Sequence, residues 1–130
     1  MRQNQDPQSD LNSAEIYLKK ILPKDPDSAD LQNRIGLLEL LKAEWKMRIK
    51  QSPTSHLEKA REAFDKALKV NKDSLETQLG LAEYYYLNAR WNSSDSQAAQ
   101  QAMDQCKAML ANIFAVYPKM PEALALRNKL

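Results

Sequence analysis

The sequence is poor in the residues on which most small folds depend for turns, staples and catalysis. Only two glycines stand in 130 residues, too few for a sheet built on tight hairpin turns, which draw on glycine where φ is positive. β-Branched residues are few, whereas Ala, Leu, Lys, Gln and Glu are plentiful, and these side chains lose little freedom in a helix. One cysteine, Cys106, excludes an intrachain disulfide. With one histidine, His56, beside it, the chain holds no zinc set and no convincing Cys–His nucleophile pair. No apolar run approaches the roughly 20 residues of a bilayer-crossing helix. The opening MRQNQDPQSD contains no apolar segment of the kind a signal peptide carries. The expectation is no membrane insertion by this segment and a cytoplasmic setting. A formal charge of +2 is too small to argue for nucleic acid, whose binders concentrate basic charge on one surface. The most basic run, Lys42 to Lys50, reads as a solvated helix face.

What is present points to helices. A composition 43% hydrophobic and 28% charged is ordinary for a folded domain, and the length suffices for a core without staples. The fold class is all-α. Residues 1–9 read as a disordered polar lead-in and 10–130 as one helical repeat domain, taken to be an excerpt of a longer protein because the chain stops inside a helical pattern. The first helix is expected from a capping box at Asn12 and Glu15, with Leu11, Ala14, Leu18, Ile21 and Leu22 on its apolar side and Pro23 and Pro26 ending it. The second is expected from Ala29 to Lys50, with Leu31, Ile35, Leu38 and Trp45 inward. The third opens at a box of Ser55 and Glu58 and turns Leu57, Ala60, Phe64, Ala67 and Leu68 inward. The fourth opens at Asp73 and Glu76 and runs to Trp91. The fifth spans Gln97 to Tyr117, apolar at Met103, Cys106, Leu110, Ile113 and Phe114. Pro121 then suits the first position of a short C-terminal helix.

The chain also repeats itself. Leu31–Ala43, LQNRIGLLELLKA, and Leu75–Leu87, LETQLGLAEYYYL, superpose at an offset of about 44 residues, matching Leu31 with Leu75, Ile35 with Leu79, Gly36 with Gly80, Leu37 with Leu81 and Glu39 with Glu83. A second set, Ala14, Leu18 and Ile21, recurs as Ala60, Phe64 and Ala67 and then as Cys106, Leu110 and Ile113 at about 46. Three copies of one helix and two of its partner define a chain of helical hairpins. A glycine inside a helix costs about 1 kcal/mol relative to alanine, so Gly36 and Gly80 mark places where a neighbouring helix passes close.

The pairs Ile35-Gly36 and Leu79-Gly80, the small-bulky-small triplets, and Pro26 and Pro118 five residues beyond Ile21 and Ile113 resemble the tetratricopeptide repeat. The resemblance covers nearly the whole chain and implies a right-handed stack of antiparallel helical hairpins, a solenoid of about five helices plus the short C-terminal one. The chain departs from it in three ways. Lys72 stands in place of the middle proline, Glu39 and Glu83 replace the family's aromatic, and each hairpin is longer than the usual repeat of about 34 residues. Longer first helices and longer loops, Met47–Thr54 and Arg90–Gln97, are the expected consequence.

The resemblance implies a protein-interaction module, not an enzyme, with no cofactor and no metal. Its first helices would line a concave, apolar groove that takes a peptide or amphipathic helix of a partner protein. The groove positions would be Asn33, Leu37, Leu40, Leu41, Thr77, Leu81, Tyr84 and Tyr85. The positions at which some members grip a C-terminal carboxylate, Asn33, Leu37, Gln78, Glu122 and Leu126, lack the required charges here. His56 is expected as an exposed first-turn residue, Cys106 as an inert core thiol, and Glu39 and Glu83 as structural carboxylates. The alternative is a spacer or self-association module without external ligand, forming a homo-oligomer through solenoid ends at which Leu11, Leu18 and the short last helix leave apolar surface.

Overall fold

The computed structural model describes residues 7–21, 24 and 28–130. The expectations for residues 1–6, Leu22, Pro23 and Pro26 lie outside them. The described residues form six α-helices and no strand: α1 (Gln8–Ile21), α2 (Ala29–Arg48), α3 (Thr54–Val70), α4 (Leu75–Trp91), α5 (Ser96–Val116) and α6 (Pro121–Arg127). The chain divides into two compact units, Met1–Lys72 and Asp73–Leu130.

Helix starts follow side-chain oxygens, though not always the expected ones. Ser28 Oγ accepts the Leu31 N–H at 3.2 Å, Ser74 Oγ accepts that of Thr77 at 3.2 Å, and Asp95 Oδ1 accepts that of Ala98 at 3.2 Å. Each satisfies one of the amides that a helix leaves without an internal partner. The cap of α4 is therefore Ser74 and not Asp73, one residue later than the expected box. α1 begins at Gln8, so Gln8 and Ser9 are helical and Asn12 lies in the second turn instead of capping the first. α3 follows Pro53 without a side-chain cap, and Ser55 sits within its first turn. Where several polar residues adjoin, any can serve as cap, and packing selects among them. Pro121 does stand in the first turn of α6, as its lack of an N–H favours.

In the first unit, α1 packs on α2 and α2 along α3. Leu11 and Leu18 of α1 meet Leu31 and Leu38 of α2, with Ile21 and Ile35 at the edge of the cluster. The leucines expected to stay exposed at an open end are thus buried. The α2–α3 pair runs antiparallel, since Gly36 faces Phe64 far along α3 while Glu39, later on α2, meets His56 near its start. A methyl group at Gly36 would fall within 3 Å of three Phe64 ring atoms. The inward positions Leu57, Ala60, Phe64 and Ala67 are buried, while Trp45 and Leu68 are only half-buried. α2 ends where Lys50 adopts a left-handed conformation, φ 59°. That geometry lets the Lys50 and Gln51 N–H groups bond back to Met47 and Lys46 carbonyls at 3.1 and 2.8 Å.

In the second unit, α4 lies along α5 and both touch α6. Ala82, Cys106, Leu110, Ile113, Ala123 and Leu126 form its core, flanked by half-buried Tyr85, Tyr86 and Phe114. The connections Ile49–Pro53 and Asn92–Asp95 are short. The expected long loops are absent, and the length lies in helices, though not in the first helix of each pair: α2 has 20 residues and α5, a second helix, 21, while α4 has 17. A residue added to a helix keeps its backbone hydrogen bonds, whereas one added to a loop must find water or a side chain.

Candidate functional site

The eight expected groove residues fall into two groups. Asn33, Leu40, Thr77, Leu81 and Tyr84 are buried, Thr77 completely. Tyr85 is half-buried, its ring 5.1 Å from that of Tyr84 in an edge-on contact. Leu37 and Leu41 are exposed, at 36% and 39%. One turn apart on α2, these two share a helix face that also carries Arg34 and Arg48 at its ends and half-buried Trp45 at its border. Arg34 is held by Asp30 at 3.2 Å. Asn33 and Thr77, and Leu40 and Tyr84, are repeat-matched pairs buried in both copies, whereas Leu37 is exposed and its match Leu81 buried, at 36% and 4%. Sequence periodicity placed both on equivalent positions, and the surroundings then separated them.

The polar constellation that sequence reasoning missed lies on the other side of α2. His56, expected to be exposed, is half-buried, and its Nδ1 lies 2.7 Å from Glu39 Oε2. The other Glu39 oxygen is 3.6 Å from Lys42 Nζ, and Lys42 donates to Glu15 Oε2 at 2.7 Å. Lys19 adds a 3.3 Å contact to Glu15. Side-chain exposure is 8% for Glu39 and 11% for Lys42, so these charges are paired largely out of water. The network ties α1, α2 and α3 together. The hydrogen bond from Lys42, together with Lys19, holds the Glu15 carboxyl below its usual range, against a smaller opposing effect of burial. Lys42 is thereby removed from the solvated basic run, while Arg48 and Lys50 remain exposed. The one signal in the sequence is Glu39, which departs from the aromatic of the repeat that the chain resembles.

Cys106 is fully buried on α5, as its small-residue position implied. Burial pushes its thiol up to about 11, and the thiolate is the reactive form. Native protein at pH 7.5 is expected to resist alkylation by iodoacetamide for hours and to label within minutes in denaturant, read by intact mass. Rapid labelling of the native chain would contradict the burial. Among the described residues, no group of three or more His, Cys, Asp or Glu could hold a metal ion. No helix among them is long and apolar enough to cross a membrane. Compared with protein-family models, curated proteins and solved structures, the chain matches none.

Proposed function

We propose that this chain is a protein-interaction module of tetratricopeptide-like helical hairpins, and that it takes an apolar peptide or an amphipathic helix on the exposed face of α2. The observation that supports this reading is the exposure of Leu37 and Leu41 at i and i+4, a spacing that matches the apolar side of a docked helix. Arg34 and Arg48 at either end would fix its register through carboxylates or carbonyls. The buried members of the expected set, Asn33 and Leu40 on α2 and Thr77, Leu81 and Tyr84 on α4, are not part of this face.

The test is selection from a displayed library of helical peptides, with a Leu37→Asp, Leu41→Asp double variant as counter-target. Both sites are more than a third exposed, and circular dichroism must show the double variant still helical before it serves as counter-target. Enriched peptides with apolar residues at helical spacing, binding the native chain at least about tenfold more tightly than the variant, are the expected result. Equal binding to both, or no enrichment, would refute the α2 face.

A second reading, self-association, rests on a separate observation: Ile16 and Tyr17 of α1 are 57% and 59% exposed. It requires a solution mass that rises with concentration and falls back to the monomer value in an Ile16→Lys, Tyr17→Lys variant.

A further inference from the structure

Three cations of the second unit rest on aromatic rings. Arg90, in the last turn of α4, has its guanidinium carbon 5.7 Å from the centroid of Tyr86. The Lys129 ammonium lies 6.0 Å from the same ring, and Arg127, in the last turn of α6, stands 5.1 Å over Phe114. All three residues are exposed. None is among the ion pairs of the described residues, which join Lys19, Arg34, Lys42, His56 and Arg61 of the first unit to carboxylates.

The rings account for one side of each cation only. A guanidinium stacked on a ring keeps its in-plane N–H edges free, and those edges bind carboxylates in paired fashion. Positions in a last helical turn suit a cation through the helix dipole, an effect that offsets a fraction of a charge and falls off within that turn. Two like charges converging on Tyr86 repel one another, and an anion lying across them would relieve that repulsion.

We propose that Arg90, Arg127 and Lys129, backed by Tyr86 and Phe114, form a docking surface for an acidic peptide segment, separate from the α2 face. The number of charges selects this partner. A nucleic-acid backbone is usually met by about 6–10 phosphate contacts, and an anionic membrane by clusters of about 4–8 basic residues. Three ring-backed cations match a few carboxylates spaced along one extended chain.

The probe is fluorescein-labelled hexaglutamate, titrated with the full chain and followed by anisotropy at low salt. It is expected to bind at least about tenfold more tightly than hexaglutamine and to lose about tenfold in the Arg90→Gln, Arg127→Gln, Lys129→Gln variant. A control with equal net charge, Lys59→Gln, Lys66→Gln, Lys69→Gln on the exposed side of α3, is expected to stay within about twofold. Because the ring contacts also fasten α6, a measurement on the native chain accompanies the variants. Saturating hexaglutamate is expected to slow acetylation of Lys129 by a water-soluble ester at least about threefold while Lys59 and Lys66 react unchanged. Equal loss in both triple variants, no protection of Lys129, or tighter binding to phosphatidylserine vesicles or single-stranded DNA than to the peptide would overturn the proposal.

Discussion

Replacing Lys42 with alanine is expected to lower the unfolding free energy of the chain by about 3 kcal/mol, near the lower end for breaking a buried ion pair. The substitution removes an ammonium that contacts both Glu15 and Glu39. Among the described residues Glu39, 8% exposed, would keep only the His56 ring, and Glu15 only Lys19. Most of the loss is thus the cost of leaving carboxylates under-compensated and not the worth of the pair itself. Lys42→Met separates the two contributions, since it keeps the aliphatic stem and removes the charge. Urea unfolding should place the Lys42→Met and Lys42→Ala chains within about 1 kcal/mol of each other; a Lys42→Met chain close to native would show that the stem, by packing, was responsible.

The alanine substitution also carries a pH signature. The folded-state pKa of Glu15 is depressed, so its contribution is present above the ordinary carboxylate range and disappears as pH falls through the folded value. Native stability should therefore fall below about pH 4.5 more steeply than that of the Lys42→Ala chain, in which only Lys19 still depresses the group. Parallel pH profiles for the two chains would count against the Lys42–Glu15 bond.

Phe64→Ala is the second large effect, expected at about 3–5 kcal/mol. The ring is fully buried, and its Cε1, Cζ and Cδ1 atoms lie where a side chain at position 36 would begin. A helix interior normally favours alanine over glycine by about 1 kcal/mol. Gly36→Ala should nonetheless destabilise by about 1–3 kcal/mol, because the added methyl meets a ring that close packing holds in place. In the Phe64→Ala background the sign should reverse: the methyl then enters the space that the ring has left, and Gly36→Ala becomes neutral or stabilising. This coupling, measured as a double-mutant cycle, is the decisive number. A Gly36→Ala chain more stable than native in the presence of Phe64 would mean that the helices do not approach as described.

The close approach was legible from the sequence because a mid-helix glycine is an anomaly that demands a neighbour. Leu37 and Leu41 were named only through the family resemblance, in one set with Leu40, Leu81 and Tyr84, which are buried. The His56–Glu39–Lys42–Glu15 chain was not legible. Its bonds join residues 17 and 27 positions apart, and no periodicity within a helix says which side chain a different helix will bring to it. The capping box at Asp73 was misplaced because Ser74 beside it has similar capping power, whereas Asn12 and Ser55 fell inside helices that begin at Gln8 and Thr54.

By itself, the sequence determined the helical class, the number of helices and most of their ends, since propensity, prolines and 3.6-residue periodicity act within a few neighbouring residues. Tertiary structure alone decided burial at matched positions. Asn33, Thr77, Leu40, Leu81 and Tyr84 went inside while Leu37 and Leu41 stayed out. A repeat specifies which face of a helix a residue occupies, but exposure depends on what packs against that face, and only the folded chain supplies it.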